Sequence, residues 1–594
     1  MSRTPRTCLW HVVCLAFLTS SVVALTRAGG AEAGALPWRS IAGGRYVPLA
    51  VPTSTREGFA LLSPTETGVR FTNTLADATV ATNRLLEIGS GVALGDVDGD
   101  GRCDMYFCRL EGDNALYRNL GGWRFEDATL GAGVACPGQF STGCAFADLD
   151  GDGDLDLFVG GRAVPGRFPE PAASQLWLDA NGAWARGQSF PALGLVSGAV
   201  FTDVDDDGDP DLALACEWGP VRLFRNRAGT FEEWQPAVLW PASDAGATSP
   251  PPPHAASLAA LTGWWTGIAA GDFDGDGRLD LVATNWGRNW RTDQPPGVAA
   301  PVHLVYGEFT ADGIVHTLLA SHDPFLAALT PWREWKAVRA AIPSVVERAP
   351  DHHAFGRSDV RSLLGERWHA AQELVATTFD SMLFLNRGDR FEARPLPVEA
   401  QFAPAFGLSV ADFDGDGHED LFLAQNFFGV DAETSRQDAG TGLVLLGDGR
   451  GGFRALRPTE AGFALYGEQR ASAVADFDAD GRADLVVTEH GRPARLLRNT
   501  GGRAGVRVKL IGPPHNPDAI GAVVRLDFGA RVGPARELHA GSGYWAQDSA
   551  TLTLAAPQAP TALRVRWPQG ETQEWPWPAD ASVVEVSRDG IRPR

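Results

Sequence analysis

A nine-residue acidic loop is written six times in this chain. The first copy reads Asp96-Val-Asp98-Gly-Asp100-Gly-Arg102-Cys-Asp104, and the others start at Asp148, Asp203, Asp272, Asp412 and Asp476. Carboxylates stand at positions 1, 3, 5 and 9 of every copy: Asp148, Asp150, Asp152 and Asp156; Asp203, Asp205, Asp207 and Asp211; Asp272, Asp274, Asp276 and Asp280; Asp412, Asp414, Asp416 and Asp420; Asp476, Asp478, Asp480 and Asp484. Four carboxylates so close together repel one another unless a cation sits among them. Calcium suits such a loop, because it is a hard ion that takes roughly six to eight oxygen ligands in tolerant geometry. The backbone carbonyl at position 7 completes the expected set, from Arg102, Asp154, Asp209, Arg278, His418 and Arg482. Position 6 is glycine throughout, which permits the left-handed turn that brings the acids inward. Asp206 and Ala479 replace the usual glycine at position 4 without removing a ligand. The cofactor expected is therefore Ca2+, about one ion per loop, in structural sites.

Charge follows the loops. Their positions 1, 3, 5 and 9 hold 24 of the 73 acidic residues, leaving 49 against 51 Lys plus Arg, so the net charge of -22 is local to them. No basic stripe offers a nucleic-acid surface, and phosphate binding needs one.

Each loop joins two short apolar runs, as in Gly91-Val-Ala-Leu before the first and Met105-Tyr-Phe-Cys after it. Such runs read as strands. A second signature follows several loops: Leu116-Tyr-Arg-Asn119, Leu223-Phe-Arg-Asn226, Leu383-Phe-Leu-Asn386 and Leu496-Leu-Arg-Asn499. About four strands per unit is the size of a propeller blade. Loop starts lie 52, 55, 69, 140 and 64 residues apart. The long gap has room for a seventh unit, and Tyr306-Gly-Glu308-Phe-Thr310-Ala-Asp312-Gly reads as a decayed copy without calcium. After it, residues about 320–375 read as a helical insertion, with Trp332 to Ala341 and Val360 to Ala376 as its helices.

These repeats resemble FG-GAP/VCBS repeats, the units of integrin alpha-subunit propellers and of many secreted bacterial proteins. The likeness covers roughly residues 65–500. Residues 505–580 resemble the ASPIC/UnbV domain of cartilage-acidic-protein-like proteins, through Ala519-Ile-Gly521-Ala, Gly541-Ser-Gly-Tyr544-Trp-Ala-Gln547-Asp-Ser549 and Val565-Arg-Trp567-Pro-Gln-Gly570. Leu552 to Pro557 departs from the glycine-containing turn usual in that family. Alternation in Val506-Arg-Val-Lys-Leu independently makes this tail a small β-domain. The expected architecture is all-β: a signal peptide over 1–28, a seven-bladed β-propeller over 40–502 with the helical insertion, and the ASPIC/UnbV domain over 503–594.

A ligand face is expected opposite the calcium loops, where the strands leaving them end, and the resemblance to integrin-like propellers implies the same face. It would present Glu217, Trp218, Trp264, Trp265, Asn285, Trp286, Asn426, Glu489 and His490. Packing between blades is the rival role for the tryptophans. No GxSxG, HExxH or Walker motif occurs. Asp351-His352-His353 reads as a solvated loop, since adjacent side chains rarely converge on one ion.

Arg3 and Arg6, then a mostly apolar stretch from Cys8 to Leu25, then Ala28, Ala31 and Ala33, read as an export signal. An uncleaved anchor helix is the rival, weakened by His11, Ser20 and Ser21, because a span wants about 20 apolar residues. Export would leave Cys103, Cys108, Cys136, Cys144 and Cys216, an odd number whose pairing spacing does not give. The reading reached is a secreted or periplasmic calcium-binding protein, non-catalytic, that binds an extracellular protein or glycan and no nucleic acid. Its rivals are a polysaccharide-active enzyme using Glu489 and His490, and a scaffold subunit of an envelope complex.

Overall fold

The computed structural model describes residues 39–41, 44–46 and 58–593, apart from 77–88, 97, 99, 110–112, 133–144, 151, 153–155, 165–166, 181–182, 192, 241–255, 290–300, 431–433, 515 and 569. The export signal lies outside the described residues. The chain divides into Met1–Thr55 and Arg56–Arg594. In the first unit, Arg39–Ile41 pairs antiparallel with Gly44–Tyr46.

Strands are the main regular elements of the second unit. Each acidic loop joins the first two strands of one sheet, and six sheets repeat this plan. The first contains Val92–Gly95, Asp104–Phe107, Ala115–Asn119 and Phe125–Asp127, paired in that order. The third contains Leu195–Thr202, Asp211–Gly219, Arg222–Arg227 and Thr230–Trp234. The sixth takes its outer strand from the other end of the unit: Phe59–Leu62 pairs antiparallel with Arg495–Asn499. Strands covered on both faces bury nearly every residue, as in Asp420–Gln425. Apolar clusters fill the spaces between the second and third, third and fourth, fourth and fifth, fifth and sixth, and sixth and first sheets. Phe477, next to the sixth loop's first aspartate, packs edge-on against Phe125 of the first sheet.

The decayed copy near Tyr306 does not start a seventh unit in series. Asp280–Ala283 pairs directly with Met382–Asn386, so everything between them is inserted into the fourth sheet. The insertion has its own sheet, ordered Ala328–Pro331, His316–Asp323, Val302–Gly307, Gln372–Ala376. Residues 320–331, expected to begin a helical region, lie in a hairpin of His316–Asp323 and Ala328–Pro331. The helices are short and later: Trp335–Ala341, His352–Phe355 and Val360–Leu364. Val338, Ile342, Val360, Leu363 and Leu364 pack onto Val305 and Leu318. The sequence pattern marks the first and last of these helices, but it takes His352 and His353 for a loop and runs the last helix on to Ala376, where Gln372–Ala376 is a strand; nothing local shows which strands they sit beside.

The C-terminal region forms two four-stranded sheets, Thr551–Leu554, Val506–Ile511, Val583–Ser587 and Gly590–Pro593, and Arg536–Glu537, Val523–Asp527, Ala562–Arg566 and Thr572–Pro576. Val508, Leu510, Val524, Leu563, Val565, Trp567 and Val584 form their common core, as in sheet-on-sheet packing. Residues 541–549 leave this domain and run between the first strands of the six-sheet body. Val92 N–H donates to Trp545 O at 3.1 Å, Ile268 N–H to Gly543 O at 3.1 Å, and Ser549 N–H to Val474 O at 3.0 Å. Ala546–Gln547 adds to Val92–Gly95 as a parallel strand. The C-terminal domain is thus built into the repeats, where the sequence suggested only a following module.

Candidate metal loops and their surroundings

The loops converge as their spacing requires. Carboxylate oxygens of Asp96, Asp98 and Asp104 lie within 4.8 Å of one another, as do those of Asp148, Asp150 and Asp156, of Asp203, Asp205 and Asp211, of Asp272, Asp274 and Asp276, and of Asp412, Asp414 and Asp420. Position 6 adopts the left-handed conformation, with φ of 85° at Gly101, 98° at Gly208, 93° at Gly277, 96° at Gly417 and 82° at Gly481. Its N–H donates back to the first carboxylate, from Gly101 to Asp96 Oδ2 at 2.9 Å and from Gly277 to Asp272 Oδ2 at 3.0 Å. The other oxygens of these carboxylates, Asp96 Oδ1 and Asp272 Oδ1, are buried with no hydrogen-bond partner, as are Asp205 Oδ1 and Asp478 Oδ1 at position 3. Buried carboxylate oxygens without donors are costly. A hard divalent cation coordinated by them removes that cost, so the donor set fits calcium. Asp154 lies outside the described residues.

Position 9 has a second task. Asp211 accepts from Val204 N–H at 3.2 Å on one oxygen and from Asn226 N–H at 2.8 Å on the other. Asp280 does the same with Phe273, at 3.0 Å, and Asn386, at 2.7 Å. Burial pushes the carboxyls of Asp211 and Asp280 up to about 8, against backbone hydrogen bonds that favour the ionised form. Asp412 rises to about 7 for the same reason, and Asp420 and Asp484 rise well above the ordinary range. These acids are held in place to be neutralised by a proton or by a cation.

The repeated Asn was legible as a motif, but its role was missed. It ends the third strand, and its side-chain nitrogen reaches the second residue of the preceding loop: Asn226 to Leu149 O at 2.8 Å, Asn386 to Val204 O at 2.7 Å, and Asn499 to Phe413 O at 2.8 Å. The Arg beside it closes on position 3, as Arg118 does on Asp98 and Arg498 on Asp478 at 2.8 Å. Position 5 is met by position 7 in two loops, Arg102 on Asp100 and Arg482 on Asp480 at 2.7 Å. Arg278 and His418 donate their backbone N–H to Asp276 and Asp416, each at 2.9 Å. In the third loop Asp209 donates likewise to Asp207 at 3.1 Å.

Basic side chains of the C-terminal domain cover the same loops. Arg566 pairs with Asp203, Arg507 Nε lies 3.1 Å from Asp476, Lys509 Nζ lies 3.6 Å from Asp96, and Arg536 pairs with Glu419 of the fifth loop. Alternation on Val506–Ile511 sends Val508 and Leu510 into the domain core, and Arg507 and Lys509 to the loops.

The expected ligand face is largely packed away. Glu217, Trp218, Trp265, Asn285, Trp286, Asn426 and Glu489 are buried; Trp264 and His490 are partly exposed. Trp264 stacks on Trp286 with ring centroids 3.9 Å apart and sits 5.1 Å from Trp218. The inserted sheet contributes Val302, Leu304 and Ala376 to this cluster, and Tyr544 enters it from the C-terminal segment. The polar members are paired: Glu217 with Arg162 at 2.7 Å, and Glu489 with Arg495 at 3.0 Å. Asn426 donates to Gly440 O and Gly467 O, and Asn285 to Thr378 O. Burial lowers the His490 imidazole, with Arg470 adding to the effect. The geometry joins Glu489 to Arg495, so the pair Glu489 and His490 does not form a carboxylate–imidazole dyad. Cys103 and Cys216 are buried, and burial pushes both thiols up to about 12, so they are inert core residues. Cys136 and Cys144 lie outside the described residues.

The class follows from loops and comparison together: residues 96–159 and 203–283 match FG-GAP-like repeats, and residues 512–589 match the ASPIC and UnbV domain. The chain carries both. Among curated proteins it is similar to cartilage acidic protein 1 of Homo sapiens and of Xenopus tropicalis, each 27% identical over 203 residues and 33% of this chain. The match spans only 28% and 29% of those relatives' lengths. Among solved structures, a chain described as a putative oxidoreductase (glucose dehydrogenase) from a Thermus species aligns over 69% of this chain and 98% of its own, at 15% identity and a TM-score of 0.29. A likeness at that score supports no statement about fold or activity. Among the described residues no helix is long and apolar enough to cross a membrane.

Proposed function

We propose that this chain is a secreted, calcium-loaded β-propeller that binds an extracellular protein or glycan without catalysing a reaction. Its ring has six blades, one per acidic loop, with the sheet of residues 302–376 as an insertion into the fourth. The observation that carries the reading is the set of buried, unpartnered carboxylate oxygens facing inward in several loops. The sequence signature of an export signal and the weak calcium affinity usual for extracellular modules support the secreted location.

The aromatic cluster works as packing in this reading, so recognition falls to outer surfaces. On the insertion, the turn after His316–Asp323 exposes Phe325, at 97%, with Leu326 beside it. The test has two parts. Elemental analysis of the purified protein should find calcium in several-fold molar excess, and a panel of extracellular proteins and glycans should show saturable capture. Capture that weakens in Phe325→Ser with unchanged melting would locate the surface. Protein that retains its fold with no bound alkaline-earth ion would refute the reading.

A further inference from the structure

We propose that the C-terminal domain sets the cation affinity of the loops it covers, through basic side chains seated on their first-position carboxylates. This rests on the calcium reading of the loops and adds to it which residues tune them.

Three loops share one arrangement. In the first, Asp96 Oδ2 accepts from Gly101 N–H at 2.9 Å and faces Lys509 Nζ at 3.6 Å. In the sixth, Asp476 Oδ2 accepts from Gly481 N–H at 2.9 Å and faces Arg507 Nε at 3.1 Å. In the third, Asp203 Oδ2 accepts from Gly208 N–H at 3.0 Å and pairs with Arg566. The same oxygen is used each time, and backbone N–H groups already aim the carboxylate: the glycine's in all three loops, joined at Asp203 and Asp476 by those of Asp207 and Asp480 on the other oxygen. The added cation therefore contributes charge more than orientation. A divalent ion on that carboxylate sits within a few ångströms of a fixed positive group, in surroundings where both partners are mostly buried and screening is weak. Repulsion between them lowers affinity for the ion, and by reciprocity a bound ion loosens the contact with the C-terminal domain. The effect is to keep these loops as weak sites that fill only where calcium is abundant.

The sixth loop reports on itself. Trp123 Nε1 donates to Asp478 Oδ2 at 2.8 Å, so an indole touches the third-position ligand. Terbium(III) bound in this loop should be sensitised through Trp123, and the part of the emission lost in Trp123→Phe belongs to it. Titration of the full-length protein with Tb3+, and its displacement by Ca2+, gives the affinity. Arg507→Gln should bind about tenfold more tightly, the scale on which partners of metal ligands act. Arg507→Lys, which keeps the charge, should stay close to wild type. Unchanged or weaker binding in Arg507→Gln overturns the inference. Should that variant not fold, Lys509→Gln puts the same question to the first loop by chelator competition with Ca2+, with the same two outcomes. Wild-type protein that binds neither ion would remove the calcium reading itself, a result distinct from wild type and variant binding equally.

Discussion

The side-chain nitrogen of Asn119 donates to the backbone oxygen of Phe477 at 3.2 Å, across 358 positions of sequence. It also donates to Cys103 O at 3.0 Å in its own loop. One buried amide thus ties the first sheet to the sixth. Asn119→Ala should cost about 2 kcal/mol, since it strands buried acceptors as well as removing donors. Urea unfolding of the calcium-loaded protein measures this, and a loss under about 0.5 kcal/mol would show that the link is dispensable.

Chelation should destabilise the whole second unit, because Asp211, Asp280 and Asp420 are buried acids that, once the cation is gone, must each take up a proton or stay charged in a dry site. Calorimetry with and without a strong calcium chelator should show a fall in melting temperature of about 5 °C for a loss of about 5 kcal/mol, since a unit this long shifts by about 1 °C per kcal/mol. Identical thermograms would count against structural metal.

At position 4 of the loop, Gly275 and Gly415 have φ of 74°, and Ala479 occupies the same region at φ 61°. A side chain there is strained by about 1 kcal/mol. Ala479→Gly should therefore stabilise the protein by about 0.5 to 1 kcal/mol, read as a raised urea midpoint at unchanged slope.

His539 is partly buried, and burial first, then Arg536, pulls its imidazole down to about 4. The unfolded chain takes up a proton near pH 6.5, while the folded protein does not. This contribution is fully present above pH 6.5 and is lost as the pH falls toward 4, by up to about 3 kcal/mol. His539→Gln should flatten that acid-side decline. Unfolding free energies from pH 7 to pH 4.5 compare the two, and parallel curves would exclude His539 as the source.

Gly543 has φ 54°, and a Cβ built there would lie 2.3 Å from Leu408 O. Gly543→Ala should cost more than about 3 kcal/mol, through backbone displacement in a packed interior. The same change at Gly529 (φ 77°), where no atom stands within 4 Å, should cost only its dihedral strain. Equal effects at both positions in thermal melts would show that Gly543 is not held against its neighbours.

Local chemistry was legible in the sequence and long-range placement was not. Asp96, Asp98 and Asp104 come together as the spacing requires, because every partner lies within nine residues. The strands on either side follow from short apolar runs bounded by glycine. The seventh unit failed because Tyr306 to Gly313 does join two strands, as Val302–Gly307 and His316–Asp323, yet nothing local says that Ala283 pairs with Met382. The ligand face failed similarly: Trp218, Trp264 and Trp286 lie on the strand ends as expected, but an inserted sheet and Tyr544 cover them. Arg507 and Lys509 were read only as the outward half of an alternating strand, and their targets, Asp476 and Asp96, are far away in sequence.

The passage of residues 541–549 between the repeats also constrains biosynthesis. Hydrogen bonds that hold Val92 and Ile268 use acceptors from Trp545 and Gly543, so a ribosome must have delivered nearly all of the chain before the earliest sheets can be completed. Vectorial, sheet-by-sheet maturation would stall short of the finished state, and a nascent chain interrupted before residue 541 would leave the first and fourth sheets without these partners.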